Sequence, residues 1–366
     1  GDGVAGHAVA AEVLGDDTRE PGDAGLGGAV VRLAGVGVEA RARPSAGARA
    51  DASGGKDICV AMKTQLQRRW TFDFKAMQTQ AKALGDNVRV QWANDDPAKQ
   101  ASQVESLLVQ GCDALIIVPV DDKAAAALVG QAKAQRVPVI SYDILIQSRD
   151  LSYFVQRNNG LVGTLQARGA LKFTKGKGNY AVIKGDPANS VARDISNAVQ
   201  KELSGRKTVK VVYNQFTKNW DPKKALSVAE DVLSRYNDNV AAFVTSNDGM
   251  ATGVAQALKQ RGLGGRVYVS GLDADPANLQ LIARGLQTMS VWTPIDQQGK
   301  IAMTAAHALA NGQKPQAQAR INGVPTAFVK VIEVNKANLC TYIKGIAPKG
   351  WVKVTDVFPG KPKACG

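Results

Sequence analysis

From Asp57 onward, short apolar β-type runs and helix-period runs alternate without a break. Strand patterns at 58–62, 88–92, 114–119 and 137–142 are interleaved with helical patterns at 70–84, 97–110 and 123–135. A second round starts near Gly160: helix 160–172, strand 179–184, helix 190–203, strand 208–213, helix 222–235, strand 240–245, helix 249–261, strand 266–270 and helix 275–284. Strand 288–292, helix 296–311 and strand 328–334 close it. Regular βα alternation requires parallel sheets and right-handed crossovers. Two similar rounds joined near 154–159 predict an α/β chain of two doubly wound lobes with a cleft between them.

In an open parallel sheet, ligands bind at the carboxyl ends of strands. Three strand ends stand out. Strand 137–142 ends in Asp143, strand 240–245 leads into Ser246, Asn247 and Asp248, and strand 266–270 leads into Gly271, Leu272 and Asp273. An Asn side chain both donates and accepts, and an Asp carboxylate accepts with the added strength of its charge. Together they suit a ligand rich in hydroxyls. Asp248 reads as the N-cap of helix 249–261.

The 366 residues suffice for two domains, and at 45% hydrophobic they supply a large core. No stretch approaches the ~20 apolar residues that cross a bilayer. The net charge is +14, and it is unevenly distributed. Residues 1–56 hold 6 Lys+Arg against 8 Asp+Glu, leaving 40 against 24 for the remainder. The cations are spread over helical surfaces (Lys75, Lys82, Lys133, Lys201, Lys223, Lys224) with no nucleic-acid-binding signature, so no nucleic-acid partner is expected. No Gly-x-Gly-x-x-Gly follows the first strand and no P-loop occurs, so no cofactor is expected. With His7 and His307 the only histidines, neither a zinc cluster nor a Ser/His/Asp triad is expected, and an enzyme is disfavoured.

Residues 1–55 lack Phe, Tyr, Trp, Met and Lys and are mostly Gly, Ala, Val, Arg and Asp. Such a segment buries too little apolar area to offset its ordering entropy. It reads as disordered, a targeting remnant or upstream sequence. Ala48-Arg49-Ala50 has the form of a signal-peptidase site, although charged residues interrupt the run before it. Of the four cysteines, Cys340 and Cys365 bracket a Pro/Gly/Lys-rich tail and fit a disulfide. Cys59 and Cys112 either pair, if their strands are neighbours, or stay as buried thiols.

The ordered chain resembles the type I periplasmic sugar-binding proteins of ABC transporters, in particular the xylose-binding and multiple-sugar-binding subfamily. The resemblance covers 57–345. It is carried by Arg69-Trp70, the run from Asp113 to Pro119, the run from Val139 to Asp143, Asn158-Asn159, Asn219-Trp220-Asp221-Pro222, Ser246-Asn247-Asp248, Gly271 to Asp275 and Val291 to Pro294, in that order and spacing. It implies two lobes joined by three hinge strands. One lobe comprises 57–157 plus 294–323 and the other 158–293 plus 324–345, with crossings near Arg157, Thr293 and Gly323 and a tail at 346–366. It also implies capture of a monosaccharide, a periplasmic location after export, a monomeric state, the membrane permease subunits of an ABC importer as partners and, in some relatives, a chemoreceptor. A sugar-responsive transcriptional regulator shares the lobe fold, but it needs an N-terminal helix-turn-helix, and 1–55 lacks the apolar 3.6-residue pattern for one.

Carried over by position, the ligand-binding residues are Arg69, Trp70, Asp143, Asn189, Trp220, Asn247, Asp273 and Thr293, with Lys63 and Gln65 at the cleft mouth. Trp70 and Trp220 offer flat faces to a sugar ring, and Arg69 offers a fork of donors. Three positions depart from the subfamily. Ile144 stands where Arg is usual, Thr293 where Lys is usual, and Asn189-Ser190-Val191 where Asp-Asn-Asn is usual. These changes make the site more apolar. They favour a deoxy-sugar, a polyol or a cyclitol beside a xylose-like pentose.

Overall fold

The computed structural model describes residues 55–366. The first sheet has seven strands, numbered in chain order: β1 (Asp57–Met62), β2 (Asn87–Trp92), β3 (Ala114–Ile117), β4 (Val139–Tyr142), β5 (Tyr153–Arg157), β11 (Ala319–Ile321) and β12 (Val324–Val329). Their spatial order is β11-β12-β5-β4-β3-β1-β2, parallel except for β11. The second sheet runs β7-β6-β8-β9, from β6 (Gly178–Lys184), β7 (Val209–Phe216), β8 (Ala242–Thr245) and β9 (Tyr268–Val269). An antiparallel pair, β10 (Met289–Trp292) with β13 (Ile332–Asn335), adjoins it through a bridge between Leu272 and Val291.

Helices α1 (Arg68–Leu84), α2 (Pro97–Val109) and α3 (Ala125–Ala134) serve the first sheet. Helices α4 (Asn159–Phe173), α5 (Ser190–Leu203), α6 (Pro222–Arg235), α7 (Asp248–Gln260) and α8 (Pro276–Ala283) serve the second. Helix α9 (Ile295–Ala310) returns to pack on α1. Local chemistry sets several starts. Asp96 accepts from the N–H groups of Ala98 and Lys99 ahead of α2, and Asp221 accepts from Lys223 ahead of α6. In both helices Pro occupies the first helical position, where no donor is lost.

Each lobe has its own buried core, among four hydrophobic clusters in the described residues. Ile58, Val60, Ile116, Ile140 and Val155 sit on one face of the first sheet, beneath α1 and α9. Val182, Phe243, Val244, Ile195 and Val254 fill the other lobe. The chain crosses between lobes three times: at Asn158, at 293–294 and at 330–331.

The last crossing corrects the expected one. Residues 328–334 do not form one strand, and 324–329 do not join the second lobe. Strand β12 pairs with β5 in the first sheet, and β13 pairs with β10 in the second. The turn at Asn322-Gly323 is a two-residue hairpin with both residues at positive φ (49° and 83°), which returns the chain to its own sheet. Asn-Gly is the sequence most suited to that turn. Strand β5 lies where only a joint was expected, all five of its residues buried.

Cys59 on β1 is bonded to Cys112, just before the neighbouring β3, and Cys340 is bonded to Cys365. The second bond closes a tail of short helices α10 (Leu339–Thr341) and α11 (Val354–Val357) around Trp351, which is fully buried. The expectations for residues 1–55 lie outside the described residues apart from Gly55. Replacing Cys340 and Cys365 together with Ser removes a cross-link of 25-residue separation. The chain-entropy account predicts a loss of about 3 kcal/mol. Urea unfolding of the full chain checks this, and an unchanged midpoint would contradict it.

Candidate functional site

Eight of the ten expected site residues line one cavity between the lobes: Lys63, Arg69, Trp70, Asp143, Asn189, Trp220, Asn247 and Asp273. Gln67, Ile144, Arg157, Val191 and Leu272 complete it. Its volume is about 30 Å³. A cleft of about 910 Å³ shares Gln67, Arg69, Trp220, Asn247 and Asp273 with it and leads outward. The lobes are closed on each other: Arg69 meets Asp273, Arg193 meets Asp122 and Asn189 donates to Val120 O, each across the cleft.

Arg69 is the centre of the site. It lies in the first turn of α1, 4% exposed, and faces three carboxylates. Its Nε is 3.3 Å from Asp73 one turn on, its Nη2 is 2.9 Å from Asp143, and its Nη1 is 3.4 Å from Asp273 across the cleft. Its guanidinium also lies 4.3 Å from the centre of the Trp70 ring. Arg157, at the end of β5, pairs with the same Oδ1 of Asp143, and Gln298 of α9 donates to that oxygen at 3.1 Å. All of these bonds end on Oδ1, so Oδ2 of Asp143 is left for the cavity. Arg157 was expected only as a crossing point. A strand-end Arg gives no sequence sign of burial, and its burial depends on Asp143, which the fold brings to it.

Burial pushes the Asp143 carboxyl up, but Arg157 and Arg69 outweigh it and hold it below the usual carboxylate range. Burial likewise opposes the charge on Arg69, and Asp143, Asp73 and Asp273 overcome it. The outer carboxylates behave oppositely. Burial pushes Asp73 up to about 6 against the pull of Arg69. Burial, with repulsion from Asp275, pushes Asp273 up to about 7 against the same Arg69.

On the facing lobe, Asn247 caps α7, its Oδ1 accepting from Met250 N at 3.0 Å. Its amide nitrogen is left to the cavity. Asp248, expected as that cap, instead bonds Gln287 at 2.9 Å and the N–H of Asp275 at 2.8 Å. Asn189 makes no cap bond. It donates to Val120 O of the other lobe at 3.1 Å and accepts from Trp220 Nε1 at 3.2 Å. Gly185 lies against the Trp220 ring, where an added Cβ would fall 2.1 Å from it. Arg193 reaches across to Asp122, and Ile144 packs into the core of the facing lobe. Asp143, Trp220 and Asp273 have φ of 64°, 54° and 104°. Such backbones cost about 1–3 kcal/mol each and persist where the surroundings over-determine them, commonly at ligand clamps.

Two expected residues lie outside the cavity. Gln65 is exposed on the loop before α1, and Thr293 is buried at its crossing with no partner for its hydroxyl. Ile144, Val191 and Leu272 form an aliphatic wall, each 2% exposed. Leu272 and Gln67 had not been assigned to the site, and Val191 had entered only as a departure from the family pattern. Among the described residues, no three His, Cys, Asp or Glu side chains gather as a metal site.

A profile of the family described as "Periplasmic binding protein domain" matches residues 58–314. The D-xylose-binding periplasmic protein of Escherichia coli (strain K12) is 35% identical over 295 residues, covering 78% of this chain and 88% of that protein. The xylitol-binding protein of Mycolicibacterium smegmatis is 29% identical over 239 residues, covering 65% and 66%. An ABC transporter solute-binding protein from Clostridium phytofermentans, solved with bound β-D-glucose, superposes with a TM-score of 0.75 at 25% identity, covering 82% of this chain and all of that one. The chain belongs to the periplasmic binding protein family, and its fold is the type I arrangement of two α/β lobes.

The site charges fix a pH dependence. Asp73 and Asp273, raised to about 6 and about 7, hold protons more tightly when folded than unfolded. The stability they add is complete below the ordinary carboxylate range and is lost as pH rises through those values. Asp143, held low, adds stability above that range and loses it only in stronger acid. Melting temperature is therefore expected to fall between about pH 5 and about pH 8, with a shallower fall in Asp273→Asn. Thermal melts across that range check this, and identical slopes for the two proteins would contradict it.

Proposed function

We propose that this chain is the capture subunit of an ABC importer, exported to the periplasm, which closes its two lobes on a monosaccharide or a related polyol. One observation carries this reading. Trp70 from one lobe and Trp220 from the other line a single cavity with Arg69, Asp143, Asn247 and Asp273. Aromatic faces take the C–H side of a sugar, and charged and amide groups take its hydroxyls. The two disulfides suit an oxidising compartment, and among the described residues no helix is long and apolar enough to cross a membrane.

The ligand class follows from the lining of the cavity. Lys63, Arg69, Asp143, Asn247 and Asp273 give the cavity its polar lining, and Ile144, Val191 and Leu272 its aliphatic lining. A pentose in its ring form, a deoxy-sugar or a polyol turns a hydroxyl-poor edge to the aliphatic lining. A hexose would bury an exocyclic hydroxyl there, at a cost of about 1–3 kcal/mol if left unpaired. Relatives whose names specify D-xylose and xylitol point the same way. The protein acts by binding without chemistry and as a monomer. The lobes swing about the three crossings, and the ligand holds them shut by its preference for the closed form. The permease subunits of the importer are the partners, and docking to a chemoreceptor is compatible with this role.

A thermal-shift panel of pentoses, hexoses, deoxy-sugars, sugar acids, polyols and cyclitols tests the reading. A ligand at 100 times its Kd stabilises by about 2.7 kcal/mol, so one class should raise the melting temperature distinctly. No shift with any of them would remove the carbohydrate assignment.

A further inference from the structure

The disulfide-closed tail lies beyond residue 314, where the family match ends. Its Trp351 touches both lobes near the site. We infer that Trp351 is a positioning residue of the binding site. It pins the turn that carries Asp273 to the helix start that carries Arg69. The inference rests on the proposed role of that cavity.

Asp273 and Ala274 both have positive φ, 104° and 51°. A turn of that kind holds only if its backbone groups are tied on several sides. Asp273 N donates to Val291 O at 2.8 Å, Ala274 N to Ser290 Oγ at 3.0 Å, and Asp275 N to Asp248 Oδ2 at 2.8 Å. These three ties come from the same lobe. The fourth comes from the tail: Trp351 Nε1 donates to Ala274 O at 2.9 Å.

The same indole faces the other lobe. Its ring and that of Phe72 on α1 meet edge to face, with centroids 5.1 Å apart. The Arg68 guanidinium lies 5.1 Å from both rings, and Arg68 Nη2 donates to Gly350 O at 2.9 Å. Arg68 directly precedes Arg69. On its remaining side the indole packs at 5.1 Å on Trp292, which leads into the crossing at 293–294. Trp351 thus couples the two ends of the Arg69–Asp273 ion pair without reaching the cavity. When the lobes part, its contacts with Arg68 and Phe72 are broken or strained, so it favours the closed form.

The test uses the full chain with Trp351→Phe, which keeps an apolar ring and loses the N–H donor, and with Arg68→Gln, an exposed position that leaves the core intact. Amide hydrogen exchange is first measured without any sugar. In Trp351→Phe, exchange at Asp273, Ala274 and Asp275 is expected to rise about tenfold, the scale of one good hydrogen bond, with α6 and α7 unchanged. Arg68→Gln is expected to raise exchange at 350–352 and in the first turn of α1 by about threefold. D-xylose is the binding probe. Its dissociation is expected to be faster in both variants, with association changed less. Unchanged exchange at 273–275, or an equal rise throughout both lobes, would overturn the inference. If Trp351→Phe does not fold, Arg68→Gln decides: unchanged exchange in α1 removes the inter-lobe role. If the wild-type chain binds neither D-xylose nor any ligand of the panel, the functional reading fails, and the exchange result still decides whether Trp351 positions the turn.

Discussion

The arrangement depends on placing positive charge where there is almost no water. Arg69 and Arg157 share one oxygen of Asp143 between the lobes, all three side chains under 5% exposed. A lone buried ion is very costly, and removing one member of a buried pair typically costs about 3–5 kcal/mol. Each of the three is therefore tolerated only because the others are present. Asp143 has its two guanidinium partners and Gln298, and Arg69 has Asp73 and Asp273 besides. The bond to Asp273 is the one that spans the cleft, so burial of the cluster is linked to closure of the lobes.

The βα frame makes this affordable by delivering the groups with little local adjustment. Asp143 and Arg157 stand at the ends of adjacent parallel strands, β4 and β5. Asn247 and Asp273 follow adjacent strands of the facing sheet, β8 and β9. Closing two such sheets edge to edge brings four strand ends together. Ile144, Val191 and Leu272, each buried, line the same cavity, and apolar surroundings strengthen the charge interactions within it.

Much of this was legible in the sequence. Period-2 and period-3.6 runs fixed most elements within two residues, because these strands and helices are long or wholly apolar. The strand-end carboxylates and amide could be found because a polar residue ending an apolar run is a local signal. What could not be read was tertiary. The last crossing, placed near Gly323 by the resemblance, lies at 330–331, because the Asn322-Gly323 hairpin returns the chain to its own sheet. Strand β5 was taken for a joint because it follows an irregular stretch and shows no alternation. Arg157, at a strand end, looks like a surface cation until Asp143 is placed beside it. Thr293 occupies the expected crossing but stays out of the cavity, its hydroxyl buried without a partner. Trp351 sits in a tail with little periodicity, and nothing in its neighbours announces Ala274 or Phe72.

The most direct measurement is a double-mutant cycle across the cleft, Arg69→Gln with Asp273→Asn, read by urea unfolding and by affinity for the panel ligand with the largest thermal shift. If Arg69 ties the lobes together, the two changes are coupled by about 1–3 kcal/mol in both readouts. Additivity within about 0.5 kcal/mol would mean that the pair carries nothing between the lobes, and closure would have to be held by the ligand and the remaining contacts alone.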